Sequence, residues 1–299
     1  MAILVDPPRW PAHGTRFAHL VSDTSLNELH AFATAARLPV GAFDHDHYDI
    51  PERRYRELIA LGAEPVPEKE LLRRLRAAGL RVRPSQRTPK PSQVLAGLRR
   101  AWADLLPGET ALGEELLARW QQAHRVYHDV RHLAQALAAA QLVSGGEPGR
   151  AVRLALWFHD AVYDLRPGLD EEASAQLATS RLAGLLPADE VAEVARLVRL
   201  TAEHTVAPDD PAGAVVVDAD LSVLGLPAGR YHVYVRDVRQ EYRALSDAEF
   251  REGRTRVLRR LLALEPLFHT AIGRSHWQVA AAGNLADELD RWCQPGQAG

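Results

Sequence analysis

Over residues 84–91 the chain reads Pro-Ser-Gln-Arg-Thr-Pro-Lys-Pro, three prolines in eight residues with no apolar side chain larger than proline. Such a stretch has no surface to bury and lacks several of the backbone donors that a helix or sheet needs, so it separates whatever flanks it. It predicts a small unit over residues 1–84, a proline-rich linker at 85–91 and a larger unit over 92–299.

The two parts are patterned differently. In the first, Ile3-Leu4-Val5 reads as a short strand. Helices begin at Ser25, Pro51 and Pro67, residues that suit a helix N-terminus, and Leu80-Arg81-Val82-Arg83 alternates as a second strand beside the first would. Beyond the linker nearly everything has helical period. One helix opens at Ser92 with Leu95, Leu98, Trp102 and Leu105 on a stripe, and a second covers about 113–142. The run Ala-Val-Arg-Leu-Ala-Leu-Trp-Phe at 151–158 is apolar on most faces, as a buried central helix is. Further helical segments are expected at about 171–186, 188–203, 228–245, 247–264 and 275–292, whereas the β-branched Val215-Val216-Val217 fits helix or strand. The expected fold class is mainly α, a helical domain preceded by a small α/β domain.

Charge and apolar content exclude some functions. Residues 91–299 hold 22 basic against 28 acidic side chains, so the larger unit repels polyanions and long nucleic acid is not an expected partner. No apolar run reaches the roughly 18 residues of a membrane span. The segment Met-Ala-Ile-Leu-Val-Asp-Pro-Pro lacks the basic and apolar regions of a secretory signal, and a lone Cys293 forms no internal disulfide. A cytoplasmic location without a membrane is expected, with oligomerisation left open.

Three His-Asp dipeptides occur, at His45-Asp46, His128-Asp129 and His159-Asp160, and the dipeptide alone carries no information. Context distinguishes the third, which ends the most apolar helix, where unpaired polar groups cost several kcal/mol to bury. His128 and His132 are four apart on an expected helix and so share a face. Asp218-Ala219-Asp220 again places carboxylates inside an apolar stretch. Singly, these read as a surface or hydrogen-bonded histidine pair, a structural ion pair and a helix N-cap. Their joint occurrence, in the order His, His-Asp, Asp, points to a metal, and neutral imidazoles with carboxylates suit Mn, Fe, Ni, Zn or Mg.

The segments Tyr127-His128-Asp129-Val130-Arg131-His132, Trp157-Phe158-His159-Asp160-Ala161-Val162-Tyr163-Asp164 and Asp218-Ala219-Asp220-Leu221-Ser222-Val223-Leu224-Gly225 together resemble the motif series of metal-dependent phosphohydrolases of the HD superfamily, over roughly residues 92–293. The resemblance implies a helical domain whose divalent ion (Mn, Mg, Ni, Co, Fe or Zn) is held by His132, His159, Asp160 and Asp220, with Asp160 also catalytic. The Tyr-His-xxx-His element is similar to that of cyclic-nucleotide phosphodiesterases, which implies His128 as general acid. Further motif positions fall on Glu171, where Asp170 stands in place of the family's frequent asparagine, and on His204, which is equally a cation at a helix C-terminus. Arg236 and Arg239, three apart in a helix, are candidates for phosphate recognition. The first unit resembles a small bacterial domain of no assigned activity through Val5-Asp6-Pro7-Pro8-Arg9-Trp10, His19-Leu20-Val21-Ser22-Asp23 and His47-Tyr48-Asp49-Ile50-Pro51; the polar run at 44–49 reads as a solvated loop rather than a metal site.

The resulting expectation is hydrolysis of a phosphate ester on a small molecule, a nucleotide or related phosphorylated metabolite, by metal-activated water. A nucleotide sensor without turnover, a di-iron oxygenase of the same fold and a scaffold with a vestigial site are the alternatives.

Overall fold

A computed structural model describes residues 2–83 and 87–293. Pro84, Ser85 and Gln86, at the expected boundary between the small unit and the linker, lie outside the described residues. The chain forms two compact units, the first from described residues within 1–87, 227–233 and 290–299, the second from 88–226 and 234–289. Two short C-terminal stretches thus group with the N-terminal part, and Ala228 packs on its core.

The first unit contains strands β1 (Ile3–Val5), β2 (Trp10–Ala12), β3 (Thr15–Ser22), β4 (Phe43–Asp44), β5 (His47–Pro51) and β6 (Glu64–Pro65), with helices α1 (Leu26–Ala35), α2 (Glu52–Ala60) and α3 (Glu68–Ala77). The sheet order is β4-β5-β3-β1-β6, and only β1 with β6 is parallel. Ser25 caps α1 by accepting from the Glu28 amide, and Pro51 and Pro67 sit at the N-caps of α2 and α3, where a missing N–H costs nothing. Leu4, Val5, Leu20, Ile50, Leu29 and Leu58 make the core.

Two expectations are corrected here. Residues 80–83 are not a strand: the Val82 amide donates to the Asp46 carboxylate at 2.6 Å instead of to a ladder, and the parallel neighbour of β1 is β6. The polar run at 44–49 is not a solvated loop but the β4–β5 hairpin, with Asp46 at 0% and His47 at 7% exposure.

In the second unit the helices are α4 (Pro91–Leu105), α5 (Thr110–Trp120), α6 (Val130–Val143), α7 (Arg150–Phe158), α8 (Leu169–Leu182), α9 (Ala188–Glu203), α10 (Pro211–Asp220), α11 (Ala228–Glu241), α12 (Asp247–Leu262), the short α13 (Ala271–Gly273) and α14 (Val279–Cys293); the first residues of α11 and the last of α14 fall in the first unit. Lys90, not Ser92, is the N-cap of α4, because Pro91 takes the first helical position and the Gln93 side chain accepts from the Lys90 amide. The valine run lies in α10. As its composition demands, α7 is central: Leu154, Leu156, Trp157 and Phe158 are fully buried, and it packs on α6, α8, α9 and α10. No single helix among the described residues is long and apolar enough to cross a membrane.

The α4–α5 contact allows a direct test of packing. A Cβ on Gly113 of α5 would lie 2.3 Å from Trp102 Cδ1 of α4. Trp102 cannot yield easily, since its indole donates to the Glu109 carbonyl and stands edge-on to Trp157. Gly113→Ala gains up to about 1 kcal/mol of helix propensity but overpacks the core by about 1–3 kcal/mol. A lower melting temperature by calorimetry is expected; an unchanged or raised one would show that this contact relaxes freely.

Candidate metal centre

Four side chains from three helices meet beneath one cavity. His132 is in the first turn of α6, His159 is the C-cap of α7 with Asp160 after it, and Asp220 ends α10. His132 Nε2 lies 3.1 Å from His159 Nε2, 3.2 Å from Asp220 Oδ1 and 3.8 Å from Asp160 Oδ2. From His159 Nε2, Asp160 Oδ2 is 3.4 Å away and Asp220 Oδ1 3.6 Å.

The spacing of the two aspartates explains why only one of them joins. Residues two apart on a helix point to nearly opposite sides. Asp220 therefore faces the histidines, while Asp218, fully buried, accepts from the His269 and Thr270 amides and the Thr270 hydroxyl, fixing the turn before α13.

The outer nitrogens are fixed. His159 Nδ1 donates to the Leu156 carbonyl at 2.8 Å, and His132 Nδ1 meets the Tyr127 hydroxyl at 3.0 Å. A neutral His159 must then turn a lone pair inward, toward two carboxylates. Burial opposes a charge on His159, yet Asp160 and Asp220 carry it up to about 9. Asp220, despite its burial, is held well below the usual carboxylate range by His132, His159 and His204. This is an environment that favours a cation. Donors bonded at about 2.0–2.2 Å to one tetrahedral ion lie ~3.3–3.6 Å apart, which the observed separations bracket. His132, His159 and Asp220 therefore fit a divalent ion, with Asp160 Oδ2 3.8 and 3.4 Å from the two imidazoles beside them, and imidazoles with carboxylates suit Zn, Mn, Fe, Co or Ni better than Mg, which prefers an all-oxygen shell.

His128 does not lie on a helix, contrary to expectation. The chain leaves α5 at Trp120 and re-enters helix only at Val130, with Asp129 as N-cap accepting from the Arg131 amide. The two rings nonetheless lie 5.6 Å apart, and His128 lines the cavity. What places His128 is Glu241, the last residue of α11, which the sequence reading missed. Glu241 Oε1 accepts from the amides of Val126, Tyr127 and His128, each at 2.8 Å; Oε2 accepts from His128 Nδ1 at 2.7 Å and from the Tyr163 hydroxyl at 3.0 Å. Burial works to raise the Glu241 carboxyl, but the His128 charge and these donors hold it down to about 2. Conversely, burial disfavours a charge on His128, and Glu241 overrides it, raising the imidazole above its ordinary value. Below the same loop, the buried Arg125 guanidinium donates to the carbonyls of His128 and Asp160 and ties the loop to the end of α7.

His204 is the left-handed C-cap of α9 (φ 57°), lines the cavity, and has its Nε2 3.1 Å from Asp220 Oδ2. Glu171 lines the cavity with its carboxylate accepting from the Gly168 amide, and burial raises its pKa. Asp170 closes the preceding loop by accepting from the Asp164 and Arg166 amides.

Arg236 and Arg239 are not brought to the cavity. At 3.6 residues per turn, Tyr234 and Glu241 share the inward stripe of α11 and these arginines lie on the opposite side. Arg236 pairs with Asp237; Arg239 donates to the Tyr242 and Leu245 carbonyls and to Asp247 and stacks on Phe250. The cavity cations are Arg166 and Arg260.

The second unit is thus a helical bundle with a two-histidine, two-aspartate cluster at its centre. Comparison with known proteins reaches only the other unit, where a family model described as a protein of unknown function (DUF4031) matches residues 3–78. No curated protein and no solved structure matches the chain.

Proposed function

We propose that the helical unit is a divalent-metal-dependent phosphohydrolase of the HD type that acts on a compact phosphate ester, a nucleotide or related phosphorylated metabolite. The carrying observation is that His132, Asp160, Asp220 and His128 line one cavity, with His159 against the first three and the buried Glu241 behind His128. A metal-binding site needs the four candidate ligands alone, whereas bond cleavage also needs an acid. A divalent ion held by His132, His159, Asp160 and Asp220 supplies Lewis acidity toward a phosphoryl oxygen and acidifies water. His128, kept protonated by Glu241, delivers its proton to the departing oxygen. Arg166 and Arg260 at the cavity wall provide charge for the phosphate.

The cavity measures about 180 Å³, below the ~300–1,000 Å³ of pockets that enclose drug-sized ligands. The phosphoryl end and the adjoining part of the alcohol fill it, and anything larger extends into solvent.

The test is elemental analysis of the purified chain followed by phosphomonoester and phosphodiester panels with Mn, Co, Ni and Mg. Asp220→Ala is expected to lower both metal affinity and activity at least ~10²-fold, since a lost ligand exceeds the 10–100-fold of a lost outer partner. Unchanged metal content in a folded Asp220→Ala protein removes that residue from the site. Tight nucleotide binding without turnover on either panel would make the unit a sensor.

A further inference from the structure

The first unit carries a second cluster that the proposed function does not use. Strands β3 and β5 are antiparallel, with His19 directly opposite Asp49. His47 is two residues from Asp49 on β5, so all three side chains lie on one face of the sheet. Their ligating atoms lie within 4.8 Å of one another, His47 Nε2 is 3.5 Å from Asp49 Oδ1, and the two imidazoles stand edge to face at 4.9 Å.

Each histidine is held by a buried carboxylate. His19 Nδ1 donates to Asp6 Oδ2 at 2.9 Å and His47 Nδ1 to Asp46 Oδ1 at 2.7 Å; Asp6 is 1% and Asp46 0% exposed. Both carboxylates are themselves fixed, Asp6 by the His19 amide and Asp46 by the Val82 amide and Arg81. A carboxylate that accepts the Nδ1 proton sets the tautomer, so the neutral ring presents Nε2 as a lone pair. Partnering two buried carboxylates requires one nitrogen of each ring. It does not require the other two nitrogens to converge beside a third carboxylate, half-exposed, at the wall of a cavity of about 410 Å³.

We infer that His19, His47 and Asp49 form a second divalent-metal site in the N-terminal unit, held in place by Asp6 and Asp46. Two imidazoles and one carboxylate suit Zn, Fe, Co or Ni, and three protein ligands leave positions open toward the cavity, the pattern of sites that bind water or substrate rather than purely structural ions.

The experiment is Zn²⁺ titration and metal analysis of the full chain, with Co²⁺ absorption as a second readout. Wild type is expected to take up two equivalents. His19→Ala and His47→Ala each lose one while keeping the equivalent that His132→Ala removes, and Asp49→Asn weakens the same site at least tenfold. Zn²⁺ uptake unchanged in folded His19→Ala and Asp49→Asn overturns the inference. So does a single equivalent removed by His132→Ala alone. A single equivalent removed by His19→Ala supports it and leaves the helical site as the reading that fails. Should His47→Ala not fold, His19 and Asp49, with side chains 25% and 47% exposed, decide the matter.

Discussion

Replacing His128 with asparagine is expected to cut turnover of an alkyl phosphate by roughly 10²- to 10⁴-fold, the usual contribution of a general acid, while the metal stays bound. Asparagine keeps a polar group where Nδ1 meets Glu241, so the loop and the cluster beneath it should hold. The sharper readout is the leaving group. A nitrophenyl ester departs without protonation and should lose less than about tenfold, because an acid that is not needed cannot be missed. His132→Ala should behave differently: occupancy and activity fall together on both esters, and excess metal recovers part of the loss. Equal damage to the two esters in His128→Asn with metal retained would remove His128 from the acid role. Loss of metal in that variant would make it a ligand.

The contrast between these two histidines shows how far the chain could be read directly. That both serve one place was inferred from a helical spacing of four. The rings are indeed adjacent, but for another reason: Asp129 caps α6, so His128 belongs to the preceding loop and is fixed by Glu241 from 113 residues away. Local periodicity does not encode that distance, and Gln240-Glu241-Tyr242 looks like any exposed helix end.

What was legible is what local physics controls. The apolar composition of 151–158 required burial, and α7 is buried. Ser25, Pro51 and Pro67 mark helix starts because capping acts within one turn. Most of the helical content beyond the linker was likewise readable from period, but the single helix expected over 113–142 is two helices separated by the loop at 121–129. The sheet was legible only at β1, since β3 alternates only in part and its partner β5 mixes His47 and Asp49 with the core residues Tyr48 and Ile50 over just five positions. Nor were the cavity arginines: Arg236 and Arg239 were chosen for sharing a face, but nothing in sequence says which face of α11 points inward.

If Glu241 acts through His128, then altering it should reproduce the His128 defect without adding to it. In Glu241→Gln the amide oxygen can still accept from Val126, Tyr127 and His128, so the loop keeps its anchor. The new NH₂ group, however, faces His128 Nδ1, which must now accept rather than donate. The proton moves to Nε2, and the ring can no longer hold the second proton that makes it an acid. Alkyl-ester turnover should fall about 10²-fold or more, with the nitrophenyl ester largely spared and metal content unchanged. Glu241→Ala is a different lesion, since it strands three backbone amides and the Nδ1 proton of His128 beside a carboxylate site that is itself fully buried. Breaking a buried pair of this kind costs about 3–5 kcal/mol, and the melting temperature should drop on the order of 10 °C. The decisive measurement is the double variant His128→Asn with Glu241→Gln. Groups that work as one unit are not additive, so its alkyl-ester rate should match that of His128→Asn alone. A loss equal to the product of the two single losses would mean that Glu241 contributes to the reaction by a route that does not pass through His128.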